Sequence, residues 1–136
     1  NMIEAAVNAK NSISSEILLI GVTVLTSLDQ KDLSDIGVSN DLKDQIISLI
    51  SLGRRGGIDG IVCSPNDLAF LNKEEMDSFI TVCPGIRVKA ESGGQKRTSS
   101  IHDAISMGAD YLVVAREIIS ASDPLKVINE IDSYFI

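Results

Sequence analysis

This sequence lacks any stretch long and apolar enough to cross a membrane. Its longest apolar run, around residues 17–25, is interrupted by Gly21 and Thr23. That falls far short of the roughly 20 residues a spanning helix needs. The start, Asn1-Met2-Ile3-Glu4, has no basic region followed by an apolar core, so no signal peptide is expected. Dense Lys/Arg blocks are missing too, and the net charge is −7. A polyanion would be repelled by such a surface, which excludes nucleic acid as a broad partner. A small anion is still allowed, because a few placed donors outweigh a distant net charge. There are only two cysteines, Cys63 and Cys83, both in apolar runs and wrongly spaced for a zinc knuckle. They read as buried small residues in a reducing, cytoplasmic compartment, with a disulfide or reactive thiol as the alternative. The single histidine, His102, follows Ser100 and has only Asp103 beside it, so it reads as a surface residue. No Ser-His-Asp set, metal cluster or paired-carboxylate motif is defensible. Asp29, Asp32 and Asp35 recur at three-residue spacing, which a solvated helix face explains.

What is present is a rhythm of strands and helices. The chain has 136 residues, 44% of them apolar, enough for one domain and one core over residues 1–136. Residues 2–10 carry Met2, Ile3, Ala6 and Val7 at helical spacing. Residues 17–24 are apolar almost throughout, as a strand covered on both faces should be. A short helix is expected over residues 28–35. A longer one follows, capped by Asn40, with Leu42, Ile46, Leu49 and Ile50 as its stripe, Arg54 and Arg55 in its last turn, and Gly56-Gly57 as its stop. The next strand is expected over residues 58–63. Ser64-Pro65-Asn66-Asp67 then opens a helix, with serine as cap and proline at the first position. A third strand spans residues 79–83, and a polar loop runs from Pro84 to about Thr98. Ser100 to Asp103 repeats the cap pattern for a helix that stops at Gly108. The fourth strand is expected over residues 111–115, and Asp123-Pro124 opens a last helix with Leu125, Ile128 and Ile131 on one side.

Four strands, each followed by a helix and repeating roughly every 25–40 residues, indicate parallel β/α architecture. Such a chain could close as a complete four-stranded sheet or as half of an eight-stranded barrel of about 250 residues. The helix at residues 2–10 has no strand before it, which favours the half-barrel.

Ligands of parallel β/α folds bind where the strands end. Thr23, Thr26 and Ser27 follow the first strand, and Ser64 and Asn66 follow the second. Pro84, Gly85, Arg87, Lys89 and the run Ser92-Gly93-Gly94-Gln95-Lys96-Arg97 follow the third, and Arg116 follows the fourth. This rim is rich in hydroxyls and cations and nearly empty of acids, with Asp67 assigned to its helix cap. An anion such as phosphate suits it: arginine offers a bidentate fork, and Gly93 and Gly94 let backbone N–H groups approach. The glycines do not precede Lys-Ser/Thr at the spacing of a nucleotide P-loop.

Four segments resemble bacterial orotidine 5'-monophosphate decarboxylases. They are Val22-Thr23-Val24-Leu25-Thr26-Ser27, Gly60-Ile61-Val62-Cys63-Ser64, Pro84-Gly85-Ile86-Arg87 with its Gln95-Lys96-Arg97 continuation, and Tyr111-Leu112-Val113-Val114-Ala115-Arg116. The resemblance implies a (β/α)8 TIM barrel of the phosphate-binding type, with this chain as its C-terminal half of four β/α units. It implies decarboxylation of orotidine 5'-monophosphate to UMP, without metal or organic cofactor, in an enzyme that is a homodimer when complete. Thr26 matches the position that meets the pyrimidine. Arg87 and Gln95, with Pro84, Gly85, Gly93 and Gly94 as their supporting loop, match residues that close over the nucleotide. Ala115 and Arg116 match the Gly-Arg pair that holds the phosphate, with alanine replacing the glycine. The catalytic Lys and Asp array of the family belongs to an Asp-x-Lys strand that is not matched here; Asp29-Gln30-Lys31 lies in the wrong element. The chain alone is therefore expected to be inactive, and to pair with a complementary N-terminal half or a second copy of itself. Two alternatives remain: a noncatalytic half-barrel or assembly module, and another phosphate-binding barrel such as a sugar-phosphate aldolase. The Thr26, Arg87 and Gln95 set argues against the last.

Overall fold

The computed structural model of the protein describes residues 2–14, 16–88 and 97–135. Helix α1 (Met2–Ile13) precedes strand β1 (Ile20–Val22), which helices α2 (Gln30–Asp35) and α3 (Leu42–Gly56) follow. Strand β2 (Gly60–Val62) leads into a 3-10 helix (Pro65–Phe70) and helix α4 (Lys73–Ser78). Strand β3 (Ile80–Pro84) is followed by two short strands, β4 (Ile86–Arg87) and β5 (Ser99–Ser100), and by helix α5 (Ile101–Ser106). Strand β6 (Tyr111–Val113) and helices α6 (Arg116–Ile119) and α7 (Pro124–Asp132) complete the described chain.

Strands β1, β2, β3 and β6 form one parallel sheet, laid down in sequence order. Each strand joins beside the last, and right-handed crossovers then put the connecting helices on one face. This is the winding of an incomplete barrel; a doubly wound sheet reverses its strand order. Gly60 is where β2 runs closest to its neighbours: a Cβ there would lie 2.3 Å from the Ile80 carbonyl oxygen.

The core lies between sheet and helices. Ile61, Cys63, Thr81 and Cys83 meet Ile46 and Ile50 of α3 and Ile101 and Ala104 of α5, all almost fully buried. Each large aliphatic side chain removed from water contributes about 1.5–3 kcal/mol. The in-register residues Val22, Val62, Val82 and Tyr111 share the opposite face. At the two ends of that row, Val22 and Tyr111 are 56% and 57% exposed. The sequence suggested that the first strand is covered on both faces. Among the described residues only the helix-side face is covered.

Several boundaries differ from expectation. The first strand pairs over Ile20–Val22 only, because β1 has one neighbour and its register with β2 covers three residues. Asp41, not Asn40, caps α3: its extended backbone lets the carboxylate accept from the Asp44 N–H, while Asn40 bonds Gln45. The segment after Ser64 is a 3-10 helix, and α4 follows with its own Asn72 capping box. Asp29 and Asp32 form a reciprocal capping box at α2 rather than a solvated face. On α7, Val127 and Ile131 reach the core while Leu125 is 71% exposed, so the apolar stripe is rotated from the expected one. The pair β4–β5 and the helix α6 had no clear periodic signal, being two and four residues long. No described helix is long and apolar enough to cross a membrane.

Candidate functional site

Two clefts open where the strands end. The first, of about 130 Å³, lies between the β3–β4 turn and the start of α6, and is lined by Pro84, Gly85, Arg87, Ala115, Arg116 and Glu117 among others. The second, of about 200 Å³, is lined by Val22, Val24, Leu25, Thr26, Ser27, Val62, Cys63 and Pro84. Pro84 belongs to both walls, so the clefts are neighbours along one rim.

Local sequence explains the first cleft. Gly85 turns the chain at φ 79°, a conformation that disfavours any side chain, and this brings Arg87 back beside the end of β6. Arg87 is largely buried, 3.9 Å from the Glu117 carboxylate. Glu117 also accepts from the Val88 N–H at 2.6 Å. Arg116 is exposed, and its side chain makes no hydrogen bond or ion pair among the described residues. Ala115 has φ −131°, so its methyl group meets no left-handed strain.

In the second cleft, Thr26 is a buried polar residue in a wall that is otherwise apolar except for Ser27. Cys63 belongs to that wall and Cys83 lies against it, both buried as free thiols. The Cys83 side chain hydrogen-bonded to Cys63, together with burial, pushes the Cys63 thiol strongly up, which keeps it neutral and unreactive.

The sequence reading missed the polar connection under this cleft. Asp67 is buried and does cap the 3-10 helix, accepting from the Ser64 N–H at 3.0 Å. Its other oxygen, however, takes a 2.7 Å ion pair from Arg97, and Arg97 also donates to the carbonyls of Val24 (2.9 Å) and Leu25 (3.3 Å). Burial raises the Asp67 pKa, and Arg97 and the Ser64 N–H offset part of that rise. The partners are 30 residues apart, so no local pattern announces the pair.

Pro84, Gly85, Arg87, Ala115 and Arg116 thus share one cleft, and Thr26 lines the adjoining one. Gln95, Gly93 and Gly94, with Lys89, Ser92 and Lys96, lie outside the described residues. Thr23 is used within the sheet, donating to the Val62 carbonyl. Ser64 is the N-cap of the 3-10 helix, as expected, with the box closed by Asp67, and its buried hydroxyl has no other hydrogen-bond partner among the described residues. His102 is on the surface beside Asp103. No group of three or more His, Cys, Asp or Glu that could hold a metal occurs among the described residues.

Comparison with known proteins bears on this rim. The sequence model of the Orotidine 5'-phosphate decarboxylase / HUMPS family matches residues 1–131. The chain belongs to that family. A family member from Coxiella burnetii, an orotidine 5'-phosphate decarboxylase, is 43% identical over 134 residues, covering 96% of this chain and 57% of its own length. The counterpart from Hydrogenovibrio crunogenus is also 43% identical, over 97% of this chain and 56% of its own. The crystal structure of orotidine 5'-phosphate decarboxylase from Lactobacillus acidophilus superposes with a TM-score of 0.75 at 27% identity, over 98% of this chain and 58% of that one. The chain therefore spans little more than half the length of these family members, and its incomplete barrel winding agrees with that coverage.

Proposed function

We propose that this chain is the C-terminal half of an orotidine 5'-monophosphate decarboxylase barrel and holds the nucleotide while another half performs the chemistry. The observation that carries the reading is the pair of clefts meeting at Pro84, with Arg87 and Arg116 in one and Thr26 in the other. Two guanidinium groups suit a phosphate, for which each offers a planar fork of donors. The ribose would cross Pro84, and the pyrimidine edge would meet the Thr26 hydroxyl in the more apolar cleft. Gln95 would close over the nucleotide from its own loop.

In the overall reaction the C6–CO₂ bond breaks, CO₂ leaves, and a proton adds to C6 to give UMP. A lysine beside C6 would supply that proton, and flanking carboxylates would act on the charge that develops. No Asp-x-Lys strand in this sequence offers such a lysine, so the chain alone is inactive on this reading. The uncovered row Val22, Val62, Val82 and Tyr111, and the free edges of β1 and β6, suit a partner of the same architecture. That partner is a complementary N-terminal half, or a second copy of this chain, and the completed enzyme would be a homodimer.

The test is calorimetric titration with UMP, followed by an assay on orotidine 5'-monophosphate with and without the N-terminal part of the Coxiella burnetii relative. The expected result is UMP binding, no turnover by the chain alone, and turnover on mixing. A second reading, a noncatalytic half-barrel, draws on Glu117, a carboxylate in the cleft assigned to phosphate. Absence of both binding and complementation would favour it.

A further inference from the structure

Beyond the last hydrogen bond of β1 to β2, where the Thr23 N–H meets the Val62 carbonyl, the chain carrying Thr26 has no strand partner among the described residues. Its backbone is held instead by one side chain. Arg97 reaches across 73 residues of sequence to the Val24 carbonyl, and on to Leu25, whose carbonyl also accepts the turn bond from Leu28. The other arm of the same guanidinium is anchored on Asp67, itself fixed to the Ser64 N–H at the end of β2. The Arg97 and Asp67 side chains are 10% and 3% exposed.

We infer that Arg97 is a positioning residue that sets the place of Thr26, and with it the discrimination of the base in the bound nucleotide. This rests on the nucleotide reading above. A buried ion pair adds little net stability over a well-packed apolar pair, because desolvation offsets the attraction. Here its bonds converge on the backbone just before the proposed base-contacting threonine. The planar fork matters: it holds a carboxylate and two carbonyls at fixed angles, whereas the ammonium of lysine is a point donor on a flexible stem.

The test compares wild type with Arg97→Lys, and with Arg97→Gln should the lysine variant not fold. Two ligands, UMP and inorganic phosphate, are titrated into each, and amide hydrogen exchange is followed without ligand. Exchange should quicken at residues 24–28 and stay unchanged in β2 and β3. UMP affinity should fall about tenfold, as small misplacements of binding groups do, with phosphate affinity changed less than about twofold. In a Thr26→Val background, Arg97→Lys should cost no further UMP affinity. Equal losses for UMP and phosphate would mark a merely structural role and overturn the inference. Should wild type bind neither ligand, the nucleotide reading fails by itself. Exchange at residues 24–28 then decides whether Arg97 holds that segment: unchanged exchange overturns the strut, and faster exchange supports it.

Discussion

Where the strands begin, aspartates are held by hydrogen-bond donors from neighbouring segments. Asp59 accepts from Lys10 and from the Leu19 N–H, and these, the lysine first, lower its pKa from 3.8. Asp110 accepts from both the N–H and the hydroxyl of Thr81 and donates its own N–H back to that hydroxyl. Where the strands end, Asp67 is more deeply buried, and burial raises its pKa despite Arg97. One end of the sheet is thus clasped by interactions that favour folding at neutral pH. The other end retains a charge pair whose bonds run to the wall of a cleft. The contrast matches the division in barrel folds between a stabilising face and a functional face.

The largest effect that tests this contrast is at Asp67. Asp67→Ala would leave the Arg97 guanidinium buried without its carboxylate, a loss of about 3–5 kcal/mol. Urea denaturation measures it. A loss below about 1 kcal/mol would show that water reaches the arginine and that the pair is not buried in solution. Next is Asp110→Ala, which removes the acceptor of two Thr81 donors and should cost about 2–3 kcal/mol in the same experiment. Its UMP affinity should match wild type. A weakened UMP site in this variant would break the separation between the two ends.

Asp59 gives a smaller effect with a defined pH sign. A lowered folded pKa contributes stability that is full above the unfolded value of 3.8 and is lost as pH falls through the lowered value. Asp67 has the opposite sign: its contribution is full below 3.8 and is lost as pH rises through the raised value. Asp59→Asn should therefore destabilise by about 1 kcal/mol near pH 6, and by progressively less as the pH falls below 3.8. Urea midpoints across that range test the sign, and a deficit that grows toward acid would contradict it.

These residues also show what could be read without coordinates. The strand–helix rhythm was legible because buried parallel strands are short apolar runs and caps are local: Ser100 and Asp123 each cap the helix expected of them. Gly85 and the cations Arg87 and Arg116 were legible as rim residues because strand ends place them. The Asp67–Arg97 pair was not legible, since its partners meet only after folding. Glu117 was equally hidden, because α6 is a single turn with no periodicity to reveal which way its side chains face. The exposed face of the first strand at Val22 was misread, since an apolar strand looks the same whether or not its second face is covered.

Glu117 offers the finest test of the functional end. Its carboxylate shares the first cleft with Arg87 and Arg116 and would oppose an incoming anion. Glu117→Gln removes that charge while its amide oxygen can still accept from the Val88 N–H. Affinity for inorganic phosphate should then rise about two- to fivefold, an effect below 1 kcal/mol, as expected for a partly exposed charge. The gain should shrink as salt is raised from about 0.05 M to about 0.5 M, because screening weakens the repulsion that the substitution relieves. A gain independent of salt would point to altered packing rather than charge. No gain at any salt would mean that phosphate does not enter beside Arg87 and Arg116, and the functional end would then need another cleft.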